Sequence, residues 1–289
     1  MKRLIAFCLF TFGASLWSAT GHAVVVSIDS FSVSGTTLGG SFSLTDTFGD
    51  GTPPPCGPLG CGTQPTYYGV NSTSPLPAES GGFLQLDSSN GLVGTNAGGG
   101  ARINESVYVS VPLWRTGGAI SMAGIFSLPV LSGPLNEGYG IVFGGALQSL
   151  DFNVQWWTGN ASNPAGWYVR YLVQDHNLST ITTIGAALVT IPSGADEIYL
   201  SLSRAEGSDL FAADYAYVAG GSVGSLTSLG SAQGFQYGDF VVPVFHAFDT
   251  VQGPGPTVPE PGTLLLMAGG IIALVAARRR LPLNRRTEA

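Results

Sequence analysis

"DEIYLSLSRAEGSDLFAADYAYVAGG", residues 196–221, decides the fold class. It reads as two long strands, 196–205 and 210–221, folded back on each other through a turn that holds Glu206 and Asp209. Asp196 and Glu197 are adjacent, so on a strand they face opposite sides, and they mark a solvated strand entrance rather than a paired acid. The same texture extends in both directions. Stretches 24–35, 39–51, 82–94, 98–118, 119–131, 138–147, 151–159, 166–175, 180–191 and 240–251 are strand-like runs separated by turn-forming residues. That makes about a dozen strands at a spacing of roughly 10–15 residues. Residues 52–82 are rich in Pro, Gly and Ser and read as a long surface loop, and Asn90-Gly91 reads as a hairpin turn. Long helical periodicity is absent from this part. The expectation is an all-β fold, an antiparallel sandwich or jelly roll.

The two ends have a different character. Lys2 and Arg3 precede an apolar run, Leu4 to Trp17, and Gly21-His22-Ala23 offers small residues for cleavage after Ala23. This is the pattern of a secretory signal peptide, residues 1–23, and Cys8 should leave with it. Near the other end, Gly262 to Ala277 carries no charge. As a helix it would span roughly 24 Å, short against a bilayer core of about 30 Å. Snorkelling of Arg278 and local thinning can make up the deficit. Five of the chain's 11 basic residues follow at once: Arg278, Arg279, Arg280, Arg285 and Arg286. They hold that end on the cytoplasmic side. The expected organisation is a signal peptide 1–23, an exported β-sandwich 24–251, a Pro/Gly linker 252–261, a transmembrane helix 262–277 and an Arg-rich tail 278–289.

Between residues 24 and 257 there is no Lys, and the basic residues are Arg102, Arg115, Arg170 and Arg204. All of the chain's 18 acidic residues except Glu260 and Glu288 fall in that stretch, giving it a formal charge of −12. Such a charge excludes nucleic acid as a partner and argues against adhesion to anionic membranes. It suits solubility among secreted polymers. Cys56 and Cys61, in "PPPCGPLGCG", are expected to form a local disulfide in an oxidising compartment. So small a loop limits its stabilisation to about 2 kcal/mol. Two thiolates without a nearby His make a poor zinc set.

Val258-Pro259-Glu260-Pro261, then the short apolar helix, then the cluster opened by Arg278, Arg279 and Arg280, resembles the PEP-CTERM sorting signal of Gram-negative, biofilm-forming bacteria. The resemblance covers about the last 30 residues. It implies an exosortase as processing partner, removal of the tail near the Pro-Glu-Pro box, and export to the cell surface or exopolysaccharide matrix. Pro259 and Pro261 forbid helix and hold the chain extended, which suits a peptide lying in a protease cleft just outside the membrane. Residues 166–251, through "GWYVRYLVQD", the opening stretch and "FVVPVFHAFDTV", resemble the concanavalin A-like jelly roll of lectins and glucanases. Another jelly roll or an immunoglobulin-like sandwich would give similar patterns.

Catalytic motifs are weak. Jelly-roll glucanases of the laminarinase type align three carboxylates as Glu-x-Asp-x-Glu on one strand, and nothing here matches. His176 follows Asp175 in a turn and His246 sits in an apolar strand, and each reads as structural. Asp46 and Asp50 in "TDTFGDG" miss the EF-hand pattern and read as a turn. No cofactor is expected; the jelly-roll resemblance leaves open a structural Ca²⁺, with no ligands named. Trp114, Trp156, Trp157, Trp167 and Tyr168 gather in the middle third and are the candidate glycan contacts. In "QWW" alternation turns one Trp inward and the other outward, and the outward ring is the candidate sugar platform. The expected function is that of a non-enzymatic surface or exopolysaccharide-matrix protein, structural or glycan-associated. The alternatives are a lectin-like carbohydrate-binding module and a jelly-roll glycoside hydrolase.

Overall fold

The computed structural model describes residues 24–37, 39–49, 68–72, 77–95, 97, 101–109, 112–115, 118–128, 137–145, 147–157, 164–235 and 240–249. The expected signal peptide, the Cys56–Cys61 disulfide, Asp50, the linker, the transmembrane helix and the sorting signal lie outside the described residues. In chain order the strands are β1 Val25–Thr37, β2 Gly40–Asp46, β3 Tyr68–Asn71, β4 Ala78–Ser80, β5 Phe83–Asp87, β6 Leu92–Thr95, β7 Ala101–Val109, β8 Leu113–Trp114 and β9 Ile120–Ser127. Then follow β10 Gly138–Gly144, β11 Gln148–Trp157, β12 Gly166–Asp175, β13 Thr180–Leu188, β14 Glu197–Arg204, β15 Leu210–Ala219, β16 Ser222–Val223, β17 Thr227–Gln233 and β18 Phe240–Asp249.

The stretch 196–221 is a hairpin. β14 pairs antiparallel with β15 from Glu197↔Val218 to Ser203↔Ala212, and β14 buries Ile198, Leu200, Leu202 and Arg204 at strict alternation. Two sheets form, both antiparallel. The first runs β16-β15-β14-β9-β1-β5-β4, with β17 beside β15 and β2 beside β1. The second runs β13-β12-β11-β10-β18-β7-β3, with β6 on β7 and β8 on β18. This is the expected all-β antiparallel sandwich.

The core lies between the sheets. From the first come Val26, Ile28, Phe31, Met122, Phe126, Leu200 and Phe211; from the second, Val107, Tyr139, Ile141, Phe143, Phe152, Val154 and Phe245. Aromatic rings meet across the gap, Phe31 on Phe245 at 4.5 Å, Phe126 on Tyr139 at 5.6 Å and Phe143 on Phe211 at 5.7 Å. Such pairs contribute about 0.5–1.5 kcal/mol each beyond area burial. Two buried tyrosines also tie the sheets together. Tyr139 Oη donates to Ser127 O at 2.8 Å and Tyr171 Oη to Phe211 O at 3.0 Å, so neither hydroxyl is stranded. A bulge at Asp29 shifts the β1–β9 register, so burial in β1 passes from Val26 and Ile28 to Phe31 and Val33.

Three local expectations fail for identifiable reasons. Residues 52–82 include two short strands, β3 and β4, at sheet edges. Residues 222–233, too polar and Gly/Ser-rich to read as strand, form β16 and β17 on the edge beside β15. Asn90-Gly91 is not a hairpin turn: β5 belongs to the first sheet and β6 to the second. A 3-10 turn, Ser88–Asn90, carries the chain between them, with Asp87 Oδ1 accepting from Ser89 N at 2.8 Å. Gly91 has φ −72°, so no left-handed turn demands glycine there. A Cβ on it would stand 2.4 Å from the backbone carbon of Asn104. Close approach of two backbones, not turn chirality, selects the glycine. We expect Gly91→Ala to lower stability by about 1–3 kcal/mol or more, the cost of forcing a methyl into a packed site. Gly39→Ala, whose Cβ would meet only Thr37 Oγ1 at 3.6 Å, should leave the thermal midpoint nearly unchanged.

Candidate functional site

Alternation on the second sheet turns Leu150, Phe152 and Val154 of β11 into the core. It sends Ser149, Asp151, Asn153, Gln155 and Trp157 to the outer face. Register places Arg170 of β12 beside Asn153, and Gln174 beside Ser149. β18 brings His246 into the row of Gly140 and Ser106. These rows build a polar face on an apolar sandwich, with a cavity of about 320 Å³ lined by Arg102, Ser149, Asp151, Gln174, His176 and His246 among others.

Asp151 is the hub of this face and only 2% exposed. Ser149 Oγ donates to its Oδ1 at 2.6 Å, Gln174 Nε2 donates to its Oδ2, and Arg102 Nη1 stands 4.0 Å from Oδ2. Burial pushes its carboxyl up, while Arg102 and the two hydrogen bonds pull the other way. Gln174 Oε1 in turn accepts from Ala97 N at 3.1 Å, so Ala97 lies against this face. Arg102, near the start of β7, lays its guanidinium 4.0 Å from the centroid of Phe248.

His246 and Asn153 are separated by a whole strand yet share a hydrogen bond of 2.7 Å. Gly140 lies between them in the row, and a Cβ there would stand 2.2 Å from Phe152 O and 2.6 Å from Asn153 Oδ1. The glycine is what lets the bridge cross. Asn153 Nδ2 is buried with no hydrogen-bond partner among the described residues. Burial, aided by the charge of Arg102, holds His246 down to about 3. Its ring is therefore neutral at ordinary pH, with Nε2–H donating to Asn153 Oδ1. A histidine so placed supplies no proton chemistry near neutrality.

The five aromatic residues singled out from the sequence do not converge. Trp157 and Tyr168 meet on the outer face, ring centroids 5.5 Å apart, with Arg170 5.3 Å from the centroid of Trp157. Trp156 and Trp167 face the opposite way and meet each other at 6.1 Å. Trp167 is 4% exposed and belongs to the core cluster. Trp114 packs on Phe240 at 4.7 Å, where β8 pairs with β18. Asp151, Asn153 and Gln174 were not singled out in the sequence, and Arg102 was named there only as one of four basic residues. One signal for part of the set was present: in "DFNVQWW" the residues Asp151, Asn153, Gln155 and Trp157 recur at every second position.

Residues 257–280 match the PEP-CTERM protein-sorting motif. This match implies processing by an exosortase and an exported, membrane-anchored precursor. No curated protein matches the chain. Among solved structures, a β-1,3-glucanase from Mycobacterium marinum is similar at 14% identity, covering 66% of this chain and 84% of that one, with a TM-score of 0.30. The metal-free form of lectin I-B4 from Griffonia simplicifolia is similar at 12% identity, covering 65% and 94%, with a TM-score of 0.33.

Two outcomes test the site's construction. A ring that stays neutral when folded but protonates when unfolded draws the unfolded state as acid is added. The stability contributed by His246 is thus complete above its ordinary value of 6.5 and is lost as pH falls toward 3. His246→Gln should flatten that acid limb by up to about 1.4 kcal/mol per pH unit. In the unaltered protein the His246 ring carbon shifts should not move between pH 5 and 8. Gly140→Ala should break the Asn153–His246 bridge and cost about 1–3 kcal/mol or more, read as a lowered thermal midpoint.

Proposed function

We propose that this chain is an exported surface or exopolysaccharide-matrix protein whose sandwich is structural or glycan-associated and not catalytic. The observation that carries the reading is the PEP-CTERM motif at residues 257–280. A tail of that kind is an address: it holds the precursor in the membrane until an exosortase cuts it. The acidic, lysine-free composition of residues 24–257 fits life among hydrated polymers.

The outer face of the second sheet favours the glycan-associated version. Trp157 offers an aromatic surface beside Tyr168 and Arg170, and hydrogen-bonding side chains follow along β11 and β12. That combination suits a sugar, whose ring has one apolar face and a rim of hydroxyls. A hydrolase is disfavoured by the chemistry. Glycoside hydrolysis uses two carboxyls about 5–9.5 Å apart, and among the described residues lining this cavity Asp151 is the one carboxylate. It is committed to Ser149, Gln174 and Arg102.

An epitope placed after Ala289 tests the sorting half. It should be absent from the exported protein and retained on the membrane form in a host lacking the exosortase. An exported form that still carries the epitope overturns the proposal. For the sandwich, no release of reducing sugar from any glycan the exported protein retains is expected; turnover abolished by Asp151→Asn would overturn the non-catalytic reading.

A further inference from the structure

Four arginines serve a stretch with a formal charge of −12, and their placement is uneven. Arg115 donates to Phe235 O at 2.5 Å, and Arg204 donates to Gly118 O at 2.6 Å and Ser208 O at 2.9 Å. Both tie loops to strands through backbone carbonyls. Arg102 and Arg170 instead share the outer face of the second sheet, Arg102 4.0 Å from Asp151 and Arg170 beside the ring of Trp157, and the charge of Arg102 weighs on Arg170. Like charges brought together in a partly desolvated place repel, and proteins tolerate this where counter-charge is supplied.

The counter-charge present is incomplete. Asp151 stands 4.0 Å from Arg102. Arg170 donates to the neutral hydroxyl of Thr183 at 2.9 Å, and among the described residues no carboxylate comes within ion-pair distance of it. The Nε atoms of both arginines, Asn153 Nδ2 and Gln155 Oε1 are buried without a hydrogen-bond partner among the described residues. Asn153 is 0% and Gln155 5% exposed. Arg170 stands 5.3 Å from the centroid of the Trp157 ring, with the idle polar atoms of Gln155 and Asn153 next along the same strand and the Arg102–Asp151 pair beyond them.

We propose that this face binds a glycan bearing an anionic group, with Trp157 stacking on a sugar ring and Arg170, seconded by Arg102, receiving the carboxylate or sulfate. The inference rests on the glycan-associated reading above and narrows it to a substrate class. A guanidinium presents parallel N–H donors that match a planar carboxylate or a sulfate edge. A neutral glycan would leave the second cation without a counter-charge. The overall charge makes the choice discriminating, because a strongly acidic protein repels an acidic polymer everywhere except at a local cationic site.

The test is affinity electrophoresis of the exported protein through gels holding polygalacturonate, dextran sulfate or neutral dextran, at low and high salt. Retention by polygalacturonate, dextran sulfate or both, but not by dextran, is the expected result, weakening at high salt; which of the two retains it identifies the anion as carboxylate or sulfate. Arg170→Gln and Trp157→Ala should each weaken retention at least tenfold. Asp151→Asn frees Arg102 and should strengthen it, a direction that damage to the fold cannot produce. Retention by dextran equal to that by the acidic polymers, or acidic retention untouched by Arg170→Gln, overturns the proposal. Retention by dextran alone sinks the anionic class while leaving glycan association standing. No retention by any of the three sinks both.

Discussion

Two sheets share one core only if each strand keeps its apolar residues on the same side, and aromatic rings meeting across the gap set that constraint here. Phe31 against Phe245, Phe126 against Tyr139 and Phe143 against Phe211 fix which face of each sheet is inside. Because side chains alternate, a slip of one residue would exchange the faces. In β11 it would drive Asp151, Asn153 and Gln155 into the hydrocarbon gap and expel Leu150, Phe152 and Val154. The polar outer face is thus the necessary complement of the core, held in place by the same registers. The bulge at Asp29 shows the rule from the other side: it lets β1 change phase so that Phe31 reaches the gap.

What was legible in the sequence follows the range of the interaction concerned. The hairpin at 196–221 could be read because its alternation and its turn are local. The C-terminal sorting signal could be read for the same reason, since box, apolar run and arginines act in linear order. The pairing that creates the outer-face site could not. Arg102, Asp151, Gln174 and His246 come from four strands, and only the fold supplies their adjacency. Asn90-Gly91 misled because a glycine required for backbone contact with Asn104 looks the same, in one dimension, as a glycine required for a turn. β17 was invisible because an edge strand with mostly exposed side chains carries almost no apolar alternation.

Of the "QWW" pair, Trp156 is bound to Trp167 and the core while Trp157 stands on the polar face, with Arg170 across its ring. The same alternation that separates the two tryptophans aligns Trp157 with Gln155, Asn153 and Asp151. An aromatic surface and a row of hydrogen-bonding groups therefore share one strand by construction. Sites built on strands are held more firmly than sites on loops, and here the strand lies within the sheet, paired on both edges by β10 and β12.

Charge completes the picture. A lysine-free, acidic exported stretch has few cations to place, and each placement is therefore informative. Arg115 and Arg204 give their guanidinium donors to backbone carbonyls, doing locally what a turn or cap would do. Arg102 is shared between Asp151 and the ring of Phe248, and it is also the charge that weighs on His246 and Arg170. One guanidinium thus does three things at once. It balances the buried carboxylate, adds to the burial that keeps the histidine neutral and leaves Arg170 in a field of its own sign. The excess of cation over anion gives the face a polarity opposite to that of the stretch that carries it.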